Sequence, residues 1–213
     1  MRPEYGQAIK VGLICGLVIA AIYFASGLIG MWLNSTPAMQ EYMDKLVEPF
    51  KDMWRDWPNR VQPVTYTYPS GMPSPPLEYY ANMVLSLAIL GVEFIGLLLA
   101  GALAFRAVRR PGYTTKDAIY TGALSGAAAF LPLFIVMLIL SVISTVWGPQ
   151  ANLLSAMLPP GLSEAFPAIA LIGVGCCCLP LGLAMSAIIA AIGALAYTLL
   201  APESSRQRHL PNP

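Results

Sequence analysis

Charge is scarce in this chain. Only 11% of its 213 residues are Asp, Glu, Lys or Arg, against roughly a quarter in ordinary soluble domains. Hydrophobic residues make up 57% and mean hydropathy is +0.64, so a water-soluble fold of this length would leave much apolar surface in water. The net charge of +1 provides no global field to attract nucleic acid or an acidic partner. Basic stretches interleaved with aromatics, the footprint of nucleic-acid binding, are also missing.

Histidine is almost absent, the single one being His209 in the polar C-terminal stretch. Bis-histidine haem and histidine-ligated chlorophyll within apolar segments are therefore excluded for this chain acting alone. The four cysteines are Cys15 and the run Cys176, Cys177, Cys178, with no CxxC spacing. Successive helical residues point about 100° apart, so three adjacent thiols do not converge on one metal. They read as small polarizable packing residues. No Walker or Rossmann glycine motif and no HExxH occurs. Asp52 and Asp56 lie on a charged helix face and read as solvated. The chain is expected to be no enzyme and to hold neither metal nor cofactor.

What is present is four long apolar runs, at about residues 9–33, 83–105, 118–147 and 166–200. Each is long enough, as a helix, to span roughly 30 Å of hydrocarbon. The first exceeds the roughly 7–15 residues of a signal-peptide core and has no A-x-A site after it, so it reads as a retained span. Pro132 and Pro180 fall inside the third and fourth runs and are expected to kink them. The expected fold is all-α: an integral membrane bundle of four transmembrane helices forming one domain, with the lipid bilayer as solvent.

Arg2 and Lys10, then Arg106, Arg109, Arg110 and Lys116, then Arg206 and Arg208 place eight of the twelve basic residues on one side. Positive-inside asymmetry then gives a cytoplasmic N-terminus, a cytoplasmic loop 106–117 and a cytoplasmic tail 201–213, in a plasma or inner membrane. Aromatics fit those borders. Trp32, Tyr79, Tyr80, Trp147 and Phe166 fall at the outer ends, and Tyr5, Phe105, Tyr113, Tyr120 and Tyr197 near the inner ones. Thr114 and Asp117 have capping-box spacing at the start of the third span.

The loop 34–82 is the least generic part. Thr36-Pro37 reads as an N-cap and first helical residue. Met39, Tyr42, Met43, Leu46, Val47, Phe50, Met53, Trp54 and Trp57 recur at steps of three and four, with charge on the other face. This predicts an extracytoplasmic amphipathic helix over residues 37–57, with Trp54 and Trp57 at its interface with a partner protein or the membrane surface. Pro58 through Pro76 then reads as a Pro- and Tyr-rich extended strap.

Glu93 stands near the middle of the second span. A lone carboxylate there is costly and is expected either neutral or paired. It is read as an assembly contact or a proton-handling group, with Ser26, Ser125, Ser141, Ser144 and Ser186 as available hydroxyls. Small residues recur at helix-packing spacing: Gly12 and Gly16, Gly122 and Gly126, and the stripe Gly182, Ser186, Ala190 and Ala194. Together these features predict a non-catalytic accessory or scaffold subunit of a larger membrane assembly, partnered by other membrane protein subunits. The alternative is a small proton- or ion-coupled transporter or channel using Glu93.

Overall fold

The computed structural model describes residues 3–56, 74–109, 113–147 and 178–200, and among these the chain is all-helical. Helix α1 runs Pro3–Asn34, α2 Pro37–Asp56, α3 Leu77–Val108, α4 Thr115–Trp147 and α5 Leu179–Leu200. Four of them, α1, α3, α4 and α5, are long and apolar enough to cross a membrane, which points to an integral membrane protein. The N-terminal part of the expected fourth span (166–177), most of the Pro-rich strap (58–73), Trp57, Cys176, Cys177 and the tail 201–213 lie outside the described residues.

Helix limits follow local chemistry. At the start of α4, the Thr114 amide and hydroxyl both donate to the Asp117 carboxylate (2.8 and 2.7 Å), and the Asp117 amide returns a bond to the Thr114 hydroxyl at 3.4 Å. This capping box occupies amides that the first turn leaves without helical partners. Between α1 and α2 the Ser35 and Thr36 hydroxyls donate back to the Trp32 and Leu33 carbonyls at 2.7 and 2.9 Å. Thr36 caps α2 through its backbone, its carbonyl accepting the Gln40 amide at 3.0 Å. Its side chain instead closes the preceding helix, and Pro37, lacking an amide hydrogen, fits the first helical position.

Helix α4 continues from Thr115 to Trp147 through Pro132, although the ring leaves the Ala128 carbonyl without its helical donor. Pro180 is the second residue of the described α5, and the residues before Cys178 that bear on the expected kink lie outside the described ones.

Contacts divide the chain into two compact units: Met1–Ala21, Leu90–Ile135 and Cys178–Pro213 in the first, Ile22–Ile89 and Val136–Cys177 in the second. Small side chains fill the first unit. Ala100, Ala104, Ala118, Ala190 and Ala194 have no exposed surface, while Ile14, Leu17, Leu90, Ile95 and Leu181 are more than half exposed. That inverts the pattern of a water-soluble core and suits helices whose outer solvent is hydrocarbon. Leu97, Phe130, Leu133 and Phe105 are larger side chains buried among them. Phe105 is buried against Ala118 and Ala194, with the Tyr113 and Tyr197 rings edge-on to it at centroid distances of 6.2 Å. This cluster joins the ends of α3 and α5 to the start of α4.

In the second unit the Asn82 amide donates to the Asn34 side-chain oxygen at 3.3 Å, tying α3 to the end of α1. Tyr42 of α2 packs on Tyr79 of α3 at 5.8 Å.

Thr114→Ala is expected to destabilise the chain by about 1 kcal/mol through loss of the cap, read as a lower thermal midpoint in detergent. Thr115→Ala, at an exposed neighbouring position, serves as the control and should leave the midpoint unchanged.

Candidate functional site

The small residues singled out in the sequence meet one another inside the first unit, with α4 as the shared surface. Gly12 and Gly16 of α1 face Ser125 and Ala129 of α4. A methyl built on Gly12 would lie 2.9 Å from the Ser125 Cα, and one on Gly16 would lie 2.7 Å from the Ala129 Cα. On another side of α4, a methyl on Gly122 would sit 2.8 Å from the Ala191 Cα of α5, and one on Gly126 would sit 2.7 Å from the Ala190 Cβ and against the Ser186 carbonyl. Gly182 lies under the Phe130 ring. The seven packing residues Gly12, Gly16, Gly122, Gly126, Gly182, Ser186 and Ala190 thus all have neighbours on another helix of the same chain.

Two further glycines complete this seam. Gly101 of α3 abuts the Ala190 carbonyl, and Gly193 of α5 abuts the Leu98 backbone, its added methyl lying 2.9 Å from the Leu98 Cα. One polar bond crosses the seam: the fully buried Ser125 hydroxyl donates to the Ala100 carbonyl of α3 at 3.1 Å. The bond goes to a carbonyl already engaged in its own helix, and a bond of this kind between membrane helices is worth about 1 kcal/mol.

Glu93 stands at the middle of α3, with about 23 Å of helix on either side. It is half-buried. Leu97 and Ala100, one and two turns onward on the same stripe, are fully enclosed, whereas Leu90, one turn back, is 63% exposed. Full enclosure on this stripe ends at Leu97, and Glu93, Ile89, Leu85 and Asn82 behind it are half-buried. Among the described residues it has no hydrogen-bond or ion-pair partner. Of the serines named above, Ser26 donates to the Ile22 carbonyl, Ser144 to the Ser141 carbonyl and Ser186 to the Gly182 carbonyl, all within their own helices.

The second candidate surface is α2. Met39 and Val47 on its apolar face are buried within the chain, and Tyr42, Met43 and Leu46 are half-buried. Its opposite face is an open polar surface formed by Gln40, Glu41, Asp44, Lys45 and Glu48. Trp54 belongs to α2 as well. Among the described residues, no three His, Cys, Asp or Glu side chains come together as a metal site requires. Cys15 and Cys178 are free thiols.

On that polar face the Lys45 ammonium donates to the Glu41 carboxylate at 2.7 Å, four residues apart in the favourable order. The hydrogen bond first, and the lysine charge second, hold the Glu41 carboxyl below its ordinary range. A carboxyl pulled down by folding stabilises the helix above its unfolded value, and that contribution is lost as pH falls through the folded one. Being solvent-exposed, the pair is screened by salt.

Two tests follow from these contacts. Gly101→Ala and Gly126→Ala should each destabilise the chain by about 1–3 kcal/mol through overpacking. Gly91→Ala, where an added methyl meets nothing within 4 Å, should leave the midpoint unchanged or raise it, since alanine is the better helix former. Thermal midpoints in one detergent compare them directly. For α2, the side-chain carboxyl resonance of Glu41 should titrate at lower pH in the wild type than in Lys45→Met, and high salt should narrow the difference. Comparison with protein-family models, with curated proteins and with solved structures gives no match.

Proposed function

We propose that this chain is a non-catalytic accessory or scaffold subunit of a larger integral membrane assembly. The observation that carries the reading is the partial cover of α3 among the described residues. Its buried residues run only from Leu97 to Val108, and the twenty residues Leu77–Gly96 include none. The half-covered acid Glu93 lies at the edge of that stretch. An intramembrane carboxylate calls for a partner, and the chain's described residues provide none.

The small-residue seam no longer argues for association with other subunits, because it is filled by the chain's own helices. What the seam supports is a rigid unit able to present α3 in a fixed position. The wider picture is a four-helix membrane bundle with both termini in the cytoplasm and α2 outside, placed in the plasma or inner membrane by its asymmetric Lys and Arg content.

Glu93 also favours the second reading, a proton- or ion-coupled transporter or channel. That reading needs successive stations along a path. Among the described residues, the middles of the four apolar helices contain no other Asp or Glu and no Lys, Arg or His.

Solubilisation from the native membrane in mild detergent should yield the 22.8 kDa chain together with other membrane proteins in fixed stoichiometry. A monodisperse monomer with full thermal stability would overturn the subunit reading. Purified chain in vesicles should carry no proton or cation flux. Flux that disappears in Glu93→Gln would establish the transporter instead.

A further inference from the structure

We infer that the open part of the α3 stripe at Glu93 receives a transmembrane helix of a different protein, one carrying a lysine or arginine at the level of that carboxylate. The inference rests on the subunit reading above and specifies the chemistry of the partner.

The basis is charge complementarity that this chain cannot satisfy itself. The basic residues on its four apolar helices are Lys10, Arg106 and Lys116, and all three belong to one end. Arg106 is about 20 Å further along α3 itself. Lys116 lies in the first turn of α4, beside the Ala118 that packs on Phe105 near the end of α3. Lys10 is placed by two contacts. Gly12 and Gly16 meet Ser125 and Ala129 in the same order, so α1 and α4 run in parallel. Ala118 meets Phe105 while Ser125 reaches back to Ala100, so α3 runs opposite to both. Gly96 faces the Ile19 side chain. Glu93 is then one turn beyond Ile19, and Lys10 lies about 14 Å before it in the other direction. Neither side chain bridges that gap.

A second copy of this chain offers no better partner. It would bring another Glu93, a second carboxyl and no base, and two carboxylates side by side cannot both be ionised at low cost. The sequence of the segments outside the described residues likewise places no Lys, Arg or His within an apolar run. The shape of the site agrees. Along the stripe, Leu97, Ala100 and Ala104 are buried, Glu93 and Ile89 are half-buried, and Leu90 beside them is exposed. A helix laid there would cover apolar surface and bring its base to the carboxyl, giving a group that is otherwise left neutral and unpartnered an ion-pair partner.

The test uses the full-length protein in phosphatidylcholine vesicles at neutral pH with three synthetic leucine-rich transmembrane peptides. One has a central lysine, one a central arginine and one leucine at that position. Energy transfer between labelled protein and labelled peptide should report association with the lysine and arginine peptides roughly tenfold tighter than with the leucine peptide, the order of polar pairings between model membrane helices. Both Glu93→Gln and Glu93→Ala should remove the difference while keeping the wild-type thermal midpoint. Equal binding of all three peptides overturns the inference, as does a preference that survives Glu93→Ala. Self-association of differently labelled wild-type copies that vanishes in Glu93→Ala overturns it in favour of a second copy. Failure of the subunit reading looks different: the native chain then travels alone, whatever the peptides do. If native partners stay with Glu93→Ala at wild-type stoichiometry, the subunit reading stands and this assignment falls.

Discussion

Everything in the first unit depends on backbones being allowed to touch. In hydrocarbon, separated helices are already solvated by apolar tails, so burial of leucine or isoleucine gives little net driving force. Association must come from dispersion contacts at short range and from the few polar bonds that cross between helices. Glycine and alanine permit that range. At Gly12, Gly16, Gly101, Gly122, Gly126 and Gly193 the neighbouring helix presents its main chain where a side chain would otherwise stand. The large residues are displaced outward, which is why Ile14, Leu17 and Ile95 face away while Ala100 and Ala190 are enclosed. Helix α4 carries the greatest share, meeting α1 on one side, α5 on another, and α3 through Ser125.

The sequence made the rods and several of their ends legible, because those features are local. Apolar length fixes a span, and the pairs Thr114–Asp117 and Thr36–Pro37 declare helix starts within four residues. The seam was only partly legible. Gly12 and Gly16, or Gly122 and Gly126, announce themselves by repeating at one helical turn. Gly101 and Gly193 do not, since Leu97 and Phe105 flank the first at that spacing, and Ile189 and Tyr197 the second. Each is a single contact that exists only because another helix crosses there. Nothing local encodes a crossing point. Ser125 makes the same point. A hydroxyl inside a span was an obvious hydrogen-bond donor, but its acceptor, the Ala100 carbonyl, is fixed by tertiary packing alone.

Helix α2 differs from the others in kind. Its charge alternates with apolar residues so that one face is driven onto the protein at Met39 and Val47, while Glu41 and Lys45 remain in water. Here the ordinary hydrophobic effect operates, because one side of the element meets water. The chain therefore combines two packing regimes. Its single acid in the middle of an apolar helix belongs to neither, being half-buried but not enclosed, which is why Glu93 is where the functional argument concentrates.

The alanine-lined interior of the first unit has a thermodynamic corollary. When soluble proteins unfold, apolar groups enter water and the heat capacity rises steeply, which bends the stability curve into a dome with a cold limb. Separation of α1, α4 and α5 within hydrocarbon would transfer Ala129 or Ala190 from one apolar neighbour to another, with no water gained. Little heat-capacity change accompanies such a transfer. The stability of the seam should fall almost linearly on warming and show no optimum near room temperature.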